Sequence, residues 1–231
     1  MLESKGIIFA ADIEQKKQLF DVIKQVAPYI EAIKIGNLVL YEFGWNILKE
    51  LKTYTNKPLI VDLKLMDIPY ISEKLSRKAL ENGADGMIIC GPVGDETIST
   101  CKAIFKSKMI FLFTEFTHPS GLITDEMADE YIELALTLNC DGIQVPGTKH
   151  ERISAIKKKV NNRLIIISCG IGIQGPQIGS AIAAGADYEI IGRSIYSPNE
   201  LGTTPGEAAM TAHKMISVGL RKYDHQLASS K

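Results

Sequence analysis

The sequence lacks paired cysteines at metal-site spacing, long apolar runs, and an excess of charge of either sign. Its four cysteines, Cys90, Cys101, Cys140 and Cys169, are scattered with no C-x-x-C pair. That spacing argues against a zinc site or a disulfide framework and predicts reduced thiols in a cytoplasmic protein. Apolar stretches such as LIIIS at 164–168 fall far short of the roughly 20 residues that a membrane-spanning helix needs. The opening residues, MLESKGIIFAADI, carry an acid and a lysine and no long apolar core, so they do not read as a secretory signal. A formal net charge of -1 gives no general attraction to nucleic acid or an anionic membrane. A small anionic ligand held by local charge remains compatible with it.

What is present is an alternation. Short β-branched runs at 6–13, 32–37, 58–65, 86–91, 109–116, 142–147, 163–170 and 188–194 are separated by stretches with helical spacing, such as Leu19, Ile23 and Val26. Eight strands, each followed by a helix, within 231 residues predict a single-domain α/β protein, a (β/α)8 TIM barrel. The turns at 82–85, 139–141 and 185–187 each pair a Gly or Asn with a following Asp and join a helix to the next strand. They read as structural turns at the lower rim. The barrel domain is expected over 1–223, and the polar stretch 224–231, without an apolar period, as a flexible tail.

In such a barrel the chemistry lies at the C-terminal ends of the strands. Asp62 and Lys64 are two apart in the third strand, so both point to one face, the interior, while Val61, Leu63 and Leu65 take the other. Lys34, between isoleucines in the second strand, points inward too. Interior charges are costly unless paired, so these three predict either a buried ion-pair network that fixes register or a catalytic centre. Their place at this end of a barrel favours catalysis. Asp67, beyond the strand and before Pro69, reads on its own as a helix cap.

Gly170-Ile171-Gly172-Ile173-Gln174-Gly175 formally matches the dinucleotide fingerprint G-x-G-x-x-G. It follows the seventh strand, however, and only one more strand lies downstream, too few for a Rossmann domain. A phosphate cradle formed by the loops after strands 7 and 8 fits better, with Pro176 opening a helix and Gly192-Arg193 adding a close backbone approach and a cationic fork. The alternative is that the glycines only make turns and Arg193 sits in a surface salt bridge.

Taken together, these residues resemble the orotidine 5′-phosphate decarboxylase family, and the resemblance runs through nearly the whole chain. Asp62-Leu63-Lys64-Leu65-Met66-Asp67-Ile68-Pro69 matches the family's D-x-K-x-x-D-I-P. Thr114-Glu115-Phe116-Thr117-His118-Pro119 is similar to its T-E-x-S-H-P loop, and Asp12 and Lys34 also match. The resemblance implies decarboxylation of orotidine 5′-monophosphate to uridine 5′-monophosphate without metal or organic cofactor. It implies a homodimer in which Asp67 and Ile68 enter the partner's site. Lys64 is then the proton donor, with Asp62 beside the departing group. Asp12 and Lys34 hold the ribose hydroxyls. Thr117 and Gln174 contact the pyrimidine and the phosphate edge, and Ile171, Gly172, Gly192 and Arg193 form the phosphate loops. Three positions depart from the pattern: Ile71 and Thr117 stand for the usual Thr and Ser, and Cys169 for the usual Pro. The rival readings are a Mg²⁺-dependent sugar-phosphate enzyme of the same barrel type and a non-catalytic phosphometabolite-binding barrel.

Overall fold

In the computed structural model, residues 2, 5–118, 120–172, 175–198 and 202–229 are described. Eight parallel strands close into a barrel in sequence order: β1 Gly6–Ala10, β2 Ala32–Gly36, β3 Leu59–Leu65, β4 Gly86–Cys90, β5 Met109–Phe113, β6 Gly142–Pro146, β7 Ile165–Cys169 and β8 Tyr188–Ile191. The helices are α1 Lys16–Val26, α2 Asn37–Phe43, α3 Asn46–Tyr54, α4 Pro69–Glu81, α5 Gly94–Phe105, α6 Asp125–Thr137, α7 His150–Val160, α8 Ser180–Ala183, α9 Arg193–Tyr196 and α10 Pro205–Ser229. Every strand lies within the stretch expected for it. Most are shorter at the C-terminal end, where the chain leaves the ladder and frees side chains for the site. Among the described residues, no helix is long and apolar enough to cross a membrane.

Strand alternation divides the core into two layers. Ile8, Ile60, Ile88, Phe111, Phe113 and Ile167 fill the barrel, while Ile7, Phe9, Val61, Ile89, Leu112 and Ile166 pack outward against the helices. Burial of each such side chain stabilises the fold by about 1.5–3 kcal/mol. Asp224 to Ser229 continue α10 as helix with exposed side chains, so helical structure runs into the stretch that lacks an apolar period. Helix already formed upstream propagates more easily than a new one nucleates, and no apolar face is needed for it.

The acidic turns at the lower rim follow one design. Asp85, Asp141 and Asp187 accept the N–H groups of Leu59 (3.0 Å), Ile110 (2.8 Å) and Ile166 (2.9 Å), at or beside the starts of β3, β5 and β7. Glu31 does the same for Ile7 in β1. Each acid precedes an even-numbered strand and satisfies a donor at the root of the preceding odd-numbered one. Asp187 also binds Lys157 at 2.9 Å and Lys5 at 3.1 Å. Asp187→Ala takes the carboxylate from a buried N–H and from two lysines, with an expected loss of about 2–3 kcal/mol in denaturant unfolding. A change below about 0.5 kcal/mol would show that the turn is held by its backbone alone.

Candidate active site

The upper mouth of the barrel holds a cavity of about 300 Å³, lined in part by Asp12, Lys34, Asp62, Lys64, Thr117, Ile171, Gly192 and Arg193. Four charges alternate across one side of it. Lys34 Nζ lies 3.3 Å from Asp12 and 3.4 Å from Asp62, and Lys64 Nζ lies 3.0 Å from Asp62. Lys34 and Asp62 are only 7% and 6% exposed, so each depends on its neighbours to remain charged.

The electrostatics reflect that dependence. Burial disfavours the Lys34 ammonium, but the Asp62 and Asp12 charges outweigh it and raise its pKa. Burial likewise pushes the Asp62 carboxyl up, and Lys34 and Lys64 together bring it below the usual carboxylate range. The depressed Asp62 pKa makes its stabilisation complete above the ordinary carboxylate value and lost as pH falls through the folded-state value. The raised Lys34 pKa makes its share complete below the ordinary lysine value and lost as pH rises through the folded-state value. The stability gap between wild type and Asp62→Ala is therefore expected to stay level from about pH 5 to 10 and narrow only outside that window. Denaturant midpoints across the pH range measure it, and a gap that closes near neutrality would contradict this charge state.

Lys64 reaches Asp62 by a route that simple alternation did not foresee. The β3–β4 register shifts between Asp62 and Leu65, where Leu63 and Lys64 are inserted as a bulge. Lys64 takes a left-handed backbone with φ 42, a conformation that costs a non-glycine residue about 1 kcal/mol or more. Because two residues are inserted, Leu65 still faces outward with Val61. The bulge carries the ammonium to 5.2 Å from the Phe113 ring centroid, a cation–π arrangement.

Asp67 is not in this group. It is exposed and lines a neighbouring groove with Tyr41, Trp45 and Met66, which Lys64 borders from the cavity side. Nor does it cap α4: Ile68 holds the cap position, and Asp67 Oδ1 instead accepts from the adjacent Ile68 N–H at 2.8 Å. Asp12, rather than Asp67, completes the charge alternation within one chain. Ile68 is exposed beside Asp67. The Ser72 hydroxyl that follows Ile71 donates to the Asp67 carbonyl at 3.1 Å and is buried there. It therefore does not stand in for the missing threonine hydroxyl at the surface.

The two glycine loops meet at the opposite side of the mouth. Gly172 has φ 89, and a Cβ on it would strike Ser194 Oγ. Only glycine permits this approach of the β7 and β8 loops. Its N–H donates to the Pro176 carbonyl at 3.0 Å. Gly192 caps α9, Arg193 is its first residue, and the Arg193 side chain is exposed at the cavity. Among the described residues Arg193 forms no salt bridge, unlike the surface-pair alternative. Gln174 lies outside the described residues. Thr117 stands exposed at the rim, its methyl 2.8 Å from where a Gly170 Cβ would lie, so the added methyl of this threonine packs on the glycine loop.

Lining residues such as Gln144 and Phe113 escaped the sequence reading. Gln144 was detectable by the logic that found Lys34, since it is a polar residue between outward-facing Ile143 and Val145 of β6. Glu115 is also hidden in the motif. It is buried and paired with Lys149 at 2.6 Å and Arg152 at 2.7 Å, anchoring the loop after β5 to the start of α7.

Comparison with known proteins agrees with this geometry. Residues 5–204 match the model of the orotidine 5′-phosphate decarboxylase / HUMPS family. The chain is 34% identical to orotidine 5′-phosphate decarboxylase of Thermococcus kodakarensis, covering 93% of this chain and 98% of that one. It is 35% identical to the Pyrococcus abyssi enzyme of the same name, covering 91% and 98%. Among solved structures, it resembles orotidine 5′-monophosphate decarboxylase of Methanocaldococcus jannaschii complexed with the inhibitor BMP, with a TM-score of 0.83, 31% identity and coverage of 92% and 98%. Orotidine 5′-phosphate decarboxylase of Pyrococcus horikoshii OT3 gives a TM-score of 0.83 at 33% identity, with coverage of 91% and 99%. With the family model spanning most of the chain and relatives above 30% identity over more than nine-tenths of it, this protein belongs to the orotidine 5′-phosphate decarboxylase / HUMPS family.

Proposed function

We propose that the protein decarboxylates orotidine 5′-monophosphate to uridine 5′-monophosphate and CO₂, the last step of UMP synthesis, in the cytoplasm and without metal or organic cofactor. The observation that carries this reading is the Asp12–Lys34–Asp62–Lys64 alternation at one wall of the cavity. Loss of CO₂ from the pyrimidine ring leaves an electron pair on carbon with no adjacent carbonyl to absorb it, so stabilisation has to be electrostatic. Lys64, fixed by two 3.0 Å hydrogen bonds to Asp62, presents its ammonium where that charge develops and delivers the proton that quenches it. Asp62 lies beside the departing carboxylate. Asp12 and Lys34 hold the ribose hydroxyls, Thr117 the pyrimidine, and Ile171, Gly172, Gln174, Gly192 and Arg193 the phosphate. Phosphate binding far from the reacting carbon supplies energy for orienting the ring.

The functional unit in this reading is a homodimer, with Asp67 and Ile68 completing the partner's site. Its support is the exposure of apolar side chains beside Asp67: Tyr41 and Met66, which line its groove, and Ile68 and Tyr70, which follow it in the chain. A patch of this kind marks a surface meant to be covered.

The family also contains sugar-phosphate enzymes, and a Mg²⁺-dependent one is the rival reading; Asp67-Ile68-Pro69 favours the nucleotide. Turnover of orotidine 5′-monophosphate is expected to be unchanged in excess EDTA. Complete loss that Mg²⁺ restores would transfer the protein to the rival class.

A further inference from the structure

Among the described residues, Gln144 is the one buried side chain of the cavity wall whose polar atom the charge array does not account for. It is 2% exposed and its Oε1 has no hydrogen-bond partner among the described residues. It lines the cavity, and its neighbours in register, Phe113 and Ile167, belong to the inner layer of the barrel. A buried amide left unpaired costs about 1–3 kcal/mol, a cost that a polar ligand group reaching it removes.

Depth decides which part of a ligand that is. Thr117 stands four residues beyond Phe113, at the rim, and takes the outer edge of the base in the functional reading. Gln144 sits below it, beside the Phe113 ring over which the Lys64 ammonium lies. Its hydrogen-bond partner Cys169 also feels the charges of Lys64, Asp62 and Lys34. The amide therefore borders the place where the ring carbon and its carboxylate meet the array.

We propose, resting on the decarboxylase reading, that the Gln144 amide N–H groups donate to the substrate carboxylate and so distinguish substrate from product. A half-turn of the amide presents Nε2 to the anion and Oε1 to Cys169. Burial pushes the Cys169 thiol up in pKa, so it remains protonated, and its S–H, which donates to the Val145 carbonyl over a long 3.7 Å, turns to that oxygen. Both ends of the amide are then satisfied. The contact is made to the group that the reaction removes, so it holds the substrate, is lost as CO₂ forms, and leaves uridine 5′-monophosphate free to depart.

The test compares Gln144→Met, which keeps length without the amide, with wild type. KM for orotidine 5′-monophosphate is expected to rise roughly ten-fold or more, the worth of a hydrogen bond to a charged group. The inhibition constant of uridine 5′-monophosphate, which lacks the carboxylate, is expected to stay within about two-fold, and kcat to be unchanged or higher. Gln144→Glu, nearly isosteric, places like charge against the carboxylate and is expected to raise KM further while leaving product inhibition nearly intact. Equal changes in both constants, no change in either, or a fall confined to kcat would overturn the proposal. A wild-type protein that releases no CO₂ defeats the functional reading itself, a distinct outcome.

Discussion

Lys64→Ala is expected to fold, to bind uridine 5′-monophosphate, and to lose turnover by roughly 10³–10⁴-fold or more. The magnitude combines loss of a positioned proton donor with loss of a fixed charge at the developing carbanion. Folding survives because Asp62 retains Lys34 at 3.4 Å, so the substitution leaves no buried carboxylate unpaired. Lys64 is also the more exposed cation of the pair, and removing it opens no core cavity. Progress curves on orotidine 5′-monophosphate, beside calorimetric binding of the product, separate the two effects. A near wild-type rate would remove Lys64 from the chemistry. Loss of rate and binding together would make it a binding group.

The second large effect is a recovery. Asp67→Ala and Lys64→Ala are each expected to be nearly inactive as homodimers. In a mixed dimer, one site carries both defects, while the other has its own Lys64 and receives Asp67 from the Lys64→Ala chain. With random exchange between two-fold symmetric dimers, mixing is expected to restore about a quarter of wild-type activity. The outward placement of Asp67, outside the main cavity though in a groove that Lys64 also borders, is what motivates this. If Asp67 served its own chain, neither site of the mixed dimer would be whole, and no activity would return.

The barrel was legible because its strands are short, β-branched and regularly spaced, and because alternation sorts inner from outer residues with no tertiary knowledge. Lys34 and Asp62 followed from the same alternation, since a charge inside a strand has to be paired. The bulge at Leu63–Lys64 was not legible: it arises in the pairing of β3 with β4, and nothing local in D-L-K-L announces it. Asp12 was legible as a charge at the end of the first strand and as a motif match, whereas its place in the array depends on the turn after β1, where the Ala11 N–H donates to the Lys34 carbonyl at 3.1 Å. Glu115 entered only as a letter of the T-E-x-S-H-P match, because its partners Lys149 and Arg152 lie 34 and 37 residues away. Gln144 was within reach of the reasoning applied to Lys34, but a neutral side chain carries a smaller burial penalty and gives a weaker signal.

The most direct test of the central claim is release of CO₂ from carboxyl-labelled orotidine 5′-monophosphate by the purified protein, with uridine 5′-monophosphate measured in the same samples. One CO₂ per uridine 5′-monophosphate, formed catalytically by wild type and nearly abolished in Lys64→Ala, is the predicted result. Tight binding of the nucleotide with no CO₂ released would contradict the account and leave a phosphometabolite-binding barrel in its place.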